Sequence, residues 1–186
     1  MADKPSYIGL LNAIANGERG GAKIFRNWAK VTTCDAIRGT LQTVAIREAE
    51  HALAFEKRLC ELGFGLRDKE NPDLKKTVKL MKSDADDIAK FEHLGYGKKS
   101  KGAPDELTKL LEDTTIDPQT GALLGRFICE ERDTGRRLKA CYETLKNTPA
   151  TTSKPAMDAT TLDQVCAQLA TLTEKVDAMS RLKAVR

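Results

Sequence analysis

The sequence predicts an all-α fold: an up-down bundle of four long helices over residues 1–148, a linker over 149–160 and an amphipathic C-terminal helix over 161–186. Three observations carry this. Ala, Leu, Lys, Glu and Arg, all strong helix formers, are abundant, while aromatic residues are only 5%. Runs of alternating β-branched residues are absent. Apolar residues recur instead at three- and four-residue spacing across long stretches separated by turn-forming residues.

The first helix is expected from about Ser6 to Lys30, with the stripe Leu10, Ile14, Glu18, Gly21 or Ala22, and Phe25. The second runs from about Asp35 to Leu62 and stops at Gly63, a residue suited to ending a helix in the left-handed conformation. Its stripe is Leu41, Val44, Glu48, His51, Phe55 and Leu62. The third opens at Asn71-Pro72, proline being favoured in a first turn, and is expected to continue to about Leu94 through Leu74, Thr77, Met81, Asp84, Ile88 and Phe91. GKKSKGAP (97–104) reads as a loop and 105–113 as a short helix. The fourth long helix opens at Asp117-Pro118 and runs to about Lys146. Two registers fit it. One buries Leu124, Phe127, Glu131, Thr134, Leu138, Tyr142 and Leu145; the other passes through Glu130 and Asp133.

The linker is rich in Thr, Pro and Ala. Beyond it, Leu162, Val165, Leu169, Leu172, Val176 and Met179 form a short heptad seam, which predicts self-association through this helix or through the bundle.

Composition narrows the function classes. Hydrophobic residues at 40% and charged residues at 31% are enough for a core in a soluble domain. The net charge of +4, from 31 basic and 27 acidic residues, gives no reason to expect a nucleic-acid partner. No apolar run approaches ~18 residues, so no membrane span is expected. The start MADKPSYIGLL lacks the apolar core of a signal peptide, which points to the cytoplasm. Cys34, Cys60, Cys129, Cys141 and Cys166 are odd in number and form no CxxC, an argument against both a disulfide framework and a thiolate metal site. No P-loop or nucleophile elbow is present.

The informative residues are polar ones on stripes that should be buried. Glu18 interrupts the first stripe, Glu48 and His51 the second, Asp84 the third, and Glu131 or Glu130 the fourth. An unpaired buried charge costs several kcal/mol, so such groups pair or bind a cation. Carboxylate oxygens with one imidazole nitrogen suit iron or manganese. Gly20-Gly21 beside Glu18 costs helix propensity, and small residues there leave room for close helix approach or for a site.

ANGERGGAKIFRNWAK (15–30) and REAEHALAFEKRL (47–59) together resemble the first two helices of rubrerythrin-like proteins, members of the ferritin-like superfamily of di-metal carboxylate bundles. The resemblance covers the first half best. It implies a ferritin-like four-helix bundle, with Glu18, Glu48 and His51 as metal ligands and Glu48 as the bridge. It further implies a di-iron or manganese centre that reacts with peroxide or oxygen, or handles iron, with an unidentified electron donor. The second half departs from the pattern. CEERDTGRRL (129–138) offers Glu130-x-x-Asp133 or Glu131-x-x-Thr134 where the family has Glu-x-x-His, and Asp84 is the best-placed substitute on the third helix. Expectations therefore range from two ions through one to none. In the last case the chain is a bundle that has lost its metal and serves as an oligomeric scaffold or binding module.

Overall fold

The structure is a computed structural model and describes residues 4–69, 71–98 and 108–147, with only the backbone of Thr108. The expected linker and C-terminal helix, and residues 105–107 of the short helix, lie outside the described residues. The described residues are all-helical: α1 (Ile8–Val31), α2 (Asp35–Glu61), α3 (Pro72–Lys82), α4 (Asp87–His93), a 3-10 turn (Thr108–Leu111) and α5 (Pro118–Asn147). None of these helices is long and apolar enough to cross a membrane.

α1 and α2 form an antiparallel hairpin across a three-residue connection, Thr32 to Cys34. The buried face of α1 carries Leu11, Ala15, Glu18, Ala22, Phe25 and Ala29. This is one residue off the expected start of the stripe; Leu10 and Ile14 are only half-buried. α2 ends where expected: Gly63 takes φ +82° and its N–H caps the Cys60 carbonyl, a conformation that glycine adopts without Cβ strain. α5 runs antiparallel to α2, as three rungs of side-chain contact show: Arg47 with Thr134, His51 with Glu130, and Arg58 with Thr120.

The continuous third helix is corrected. It is two short helices, α3 and α4, broken at Ser83–Asp86. The Ser83 hydroxyl accepts from Ala85 N and donates to the Leu80 carbonyl. The Asp86 carboxylate accepts from Ile88 N and Ala89 N as the cap of α4. Ser and Asp side chains that bond nearby backbone offer the chain an alternative to helix, and here that alternative wins. Asp87 then accepts from Trp28 Nε1 at 2.6 Å and Thr32 Oγ1 at 2.5 Å, which ties α4 to the end of α1.

The core divides into two apolar clusters. One gathers Phe25, Trp28, Leu41, Val44, Met81, Phe91, Leu138 and Tyr142; the other Leu11, Ala15, Phe55, Leu59, Leu124 and Phe127. In sequence, Glu18 on α1, Glu48 and His51 on α2, and Glu130 and Glu131 on α5 fall between the members of the two clusters on each helix. These polar side chains form a layer between two greasy ones.

Candidate metal centre

His51 is the middle of that layer. Only 4% exposed, it packs edge-on against Phe127 with ring centroids 5.1 Å apart. Its Nδ1 lies 3.1 Å from Glu18 Oε2 and 3.5 Å from Glu131 Oε1. Its Nε2 lies 2.6 Å from Glu130 Oε2. Three carboxylates from two neighbouring helices thus converge on one imidazole. Helical spacing delivers them: Glu18 lies on the buried stripe of α1, and Glu130 and Glu131 are consecutive on α5 and reach opposite edges of the ring.

Glu48 is 6% exposed and packs against α1. A Cβ on Gly21 would collide with Glu48 Oε2, so glycine here is a requirement of space. Burial is the main reason that the Glu48 carboxyl is pushed up to about 9; the charges of Glu18 and Glu131 and a hydrogen bond to Glu18 add to it. Glu18 is raised as well, chiefly by burial, with its hydrogen bond to His51 acting the other way. Burial works against a charged His51, but Glu131, Glu18 and Glu130 outweigh it and lift the imidazole to about 10. Burial also opposes charge on Glu130, yet His51 and Arg126 hold its pKa below the usual carboxylate range. At neutral pH the layer therefore holds an imidazolium and a neutral Glu48.

One buried atom faces the His51 imidazole at 3.5 Å but lacks a hydrogen bond. Among the described residues, Glu131 Oε1 is the buried side-chain oxygen that makes no hydrogen bond. Glu18, His51 and Glu131 each offer a ligand atom, and all three atoms lie within 4.8 Å of one another. Ligands at ~2.0–2.2 Å from a first-row cation stand up to about 4.4 Å apart, so small side-chain shifts close this set around one ion. The residues fit a metal ion in spacing, in donor chemistry and in the unsatisfied Glu131 oxygen.

The other candidate positions lie elsewhere. Asp84 is exposed in the break between α3 and α4 rather than on a buried stripe. Asp133 is an ion-pair partner: it accepts from Arg47 at 3.0 Å and Arg137 at 2.6 Å, with Arg136 at 3.4 Å. Arg47 precedes Glu48 in sequence and lies off the buried stripe of α2. In the structure its side chain is 18% exposed and spans the α2–α5 seam to Thr134 Oγ1 and the Glu130 carbonyl. The length of arginine, which lets a flanking residue reach a neighbouring helix, was the available signal. A cavity of about 260 Å³, lined by Glu50, His51, Ala54, Leu123, Arg126 and Phe127, brings the surface to the imidazole.

No family model matches this chain, and no curated protein or solved structure matches it.

Proposed function

We propose that this chain is a metal-binding helical bundle of the rubrerythrin-like, ferritin-related kind, with a redox role toward peroxide or dioxygen. The observation that carries the reading is the buried Glu18–His51–Glu131 donor set, in which Glu131 Oε1 makes no hydrogen bond. In this reading Glu18, Glu131 and His51 Nδ1 hold the cation. Glu130 accepts a hydrogen bond from Nε2–H and so fixes the tautomer that leaves Nδ1 free, the usual service of a carboxylate behind a ligating histidine. Arg126, 3.0 Å from Glu130 Oε1, steadies that carboxylate from the surface. Glu48, protonated beside Glu18, is a reserve ligand and a proton store. Iron or manganese, if bound, would relay electrons from a separate reductant to peroxide or dioxygen. The cavity at His51 and Phe127 admits a molecule of that size while the two apolar clusters keep the layer dry.

A specific observation favours a second reading, a metal-free scaffold. The His51 imidazolium already pairs with Glu18 and Glu130, and at 3.5 Å with Glu131, and that offsets charge without a metal. Thermal melting separates the two. In the metal-binding reading, ferrous or manganous ion under anaerobic conditions raises Tm, because it binds the native state alone. The Glu18→Ala, His51→Ala variant loses that rise. Protein that takes up no ion and shows no change in Tm belongs to the second reading.

A further inference from the structure

We infer that the polar layer takes one cation and not two, because Arg47 holds the donors that a second ion would need. The inference rests on the metal-binding reading above and sets its stoichiometry.

The antiparallel seam between α2 and α5 decides the count. At one turn His51 meets Glu130 at 2.6 Å and Glu131 at 3.5 Å. One turn back along α2, Glu48 faces α1 and Arg47 faces α5. An ion beside Glu48 needs further donors from the facing turn of α5, where the chain offers Asp133 and Thr134. Both are taken. Arg47 Nη1 donates to Thr134 Oγ1 at 2.9 Å and to the Glu130 carbonyl at 3.0 Å, and Nη2 donates to Asp133 Oδ2 at 3.0 Å. Arg137 and Arg136 complete the neutralisation of Asp133. A guanidinium stays charged at any working pH and binds in a fixed fork, so Arg47 is a permanent cation in this turn. A divalent ion a few ångströms away would meet its repulsion in a poorly solvated setting. Among the described residues, Glu18, His51 and Glu131 are the one group of three ligating side chains that comes together.

The test is a count of ions. Full-length chain is loaded anaerobically with excess manganous ion, desalted, and assayed by elemental mass spectrometry against protein concentration. One manganese per chain is expected for the wild type. The Arg47→Met, Thr134→His variant keeps the arginine stem, removes its charge and adds an imidazole to the freed turn; it is expected to bind two. Circular dichroism checks that it folds. Two ions in the wild type overturn the inference outright and need no variant. One ion in both proteins overturns the role of Arg47. No ion in the wild type overturns the metal-binding reading itself, and the stoichiometry with it.

Discussion

The Glu48 carboxyl occupies the space that a Cβ on Gly21 would fill. The two residues sit on different helices, and the missing side chain of one is the pocket of the other. Glycine inside a helix ordinarily costs about 1 kcal/mol relative to alanine. Gly17, on the same helix, is exposed and has nothing within 4 Å of its Cβ position. Gly17→Ala should therefore stabilise the chain by about 0.5–1 kcal/mol. Gly21→Ala should destabilise it by about 1–3 kcal/mol, because a buried carboxyl must move into a packed layer. Urea denaturation of the two variants checks the opposite signs; a Gly21→Ala protein as stable as Gly17→Ala would mean that Glu48 has another place to go.

His51 holds the layer's charge balance. Its removal leaves Glu18 and Glu131 without their cation and Glu130 with Arg126 alone. His51→Ala should cost about 3–5 kcal/mol in metal-free protein at neutral pH, the penalty for orphaning buried charge. Glu48→Gln is the contrasting change. Glu48 is already protonated at neutral pH, so its amide isostere keeps the shape and removes no charge. That variant should melt above the wild type and be more stable by up to about 3 kcal/mol at neutral pH, because wild-type folding must draw a proton onto Glu48 and the amide carries no such cost. Parallel thermal melts at neutral pH without metal measure both.

The same two groups set the pH dependence of the metal-free protein. Glu48 moves from 4.5 to about 9 on folding and His51 from 6.5 to about 10. Both folded-state values are raised, so the native state binds the extra protons. Their contribution to stability is complete below the unfolded values and is lost as pH rises through the folded ones. Each proton contributes a slope of about 1.4 kcal/mol per pH unit while it is held only by the native state. Metal-free protein should accordingly lose Tm steadily from pH 6 to pH 9, and Glu48→Gln should flatten the curve. A metal ion competes with those protons, so its stabilisation should grow over the same range.

Much of this layer was legible in the sequence, and the reasons differ residue by residue. Glu18, Glu48 and His51 declared themselves because three-residue spacing forced polar groups onto stripes that otherwise read as apolar. The choice between Glu130 and Glu131 stayed open because two registers fit α5. The structure dissolves the choice: an imidazole has two edges, and each glutamate meets one of them. Asp84 misled because the three- and four-residue spacing of the third stretch continues from Leu74 to Phe91 through a point where the helix itself stops. Periodicity reports which residues face inward and says nothing of side-chain caps, which decide where a helix ends. Arg47 was missed for the converse reason: helical spacing locates its Cβ, while its guanidinium acts several ångströms away.

The far end of the α2–α5 seam gives the last prediction. Asp117 stands just before α5 and does three things at once. Its Oδ1 accepts from Gln119 N and Thr120 N, each at 3.0 Å, and so caps the helix. It accepts from Arg58 Nη2 at 2.9 Å, and Arg58 is buried. It also accepts from the Tyr7 hydroxyl at 2.8 Å, which draws in the start of α1. Bonds from Thr120 lead the effects that hold its carboxyl far below the usual carboxylate range, with Tyr7 and Arg58 adding to them. A depressed folded value means stability that is present above 3.8 and lost as pH falls toward the folded value. Asp117→Ala removes the cap and orphans part of a buried guanidinium. It should cost about 2–4 kcal/mol at neutral pH, between the loss of a cap and the breaking of a buried pair. Asp117→Asn keeps an acceptor for the two N–H groups but drops the charge on Arg58, and should fall between Ala and wild type. Urea melts at pH 7 and pH 3 test both parts. If the wild type loses no more stability on acidification than Asp117→Asn does, the charge of Asp117 is not what holds Arg58 in place.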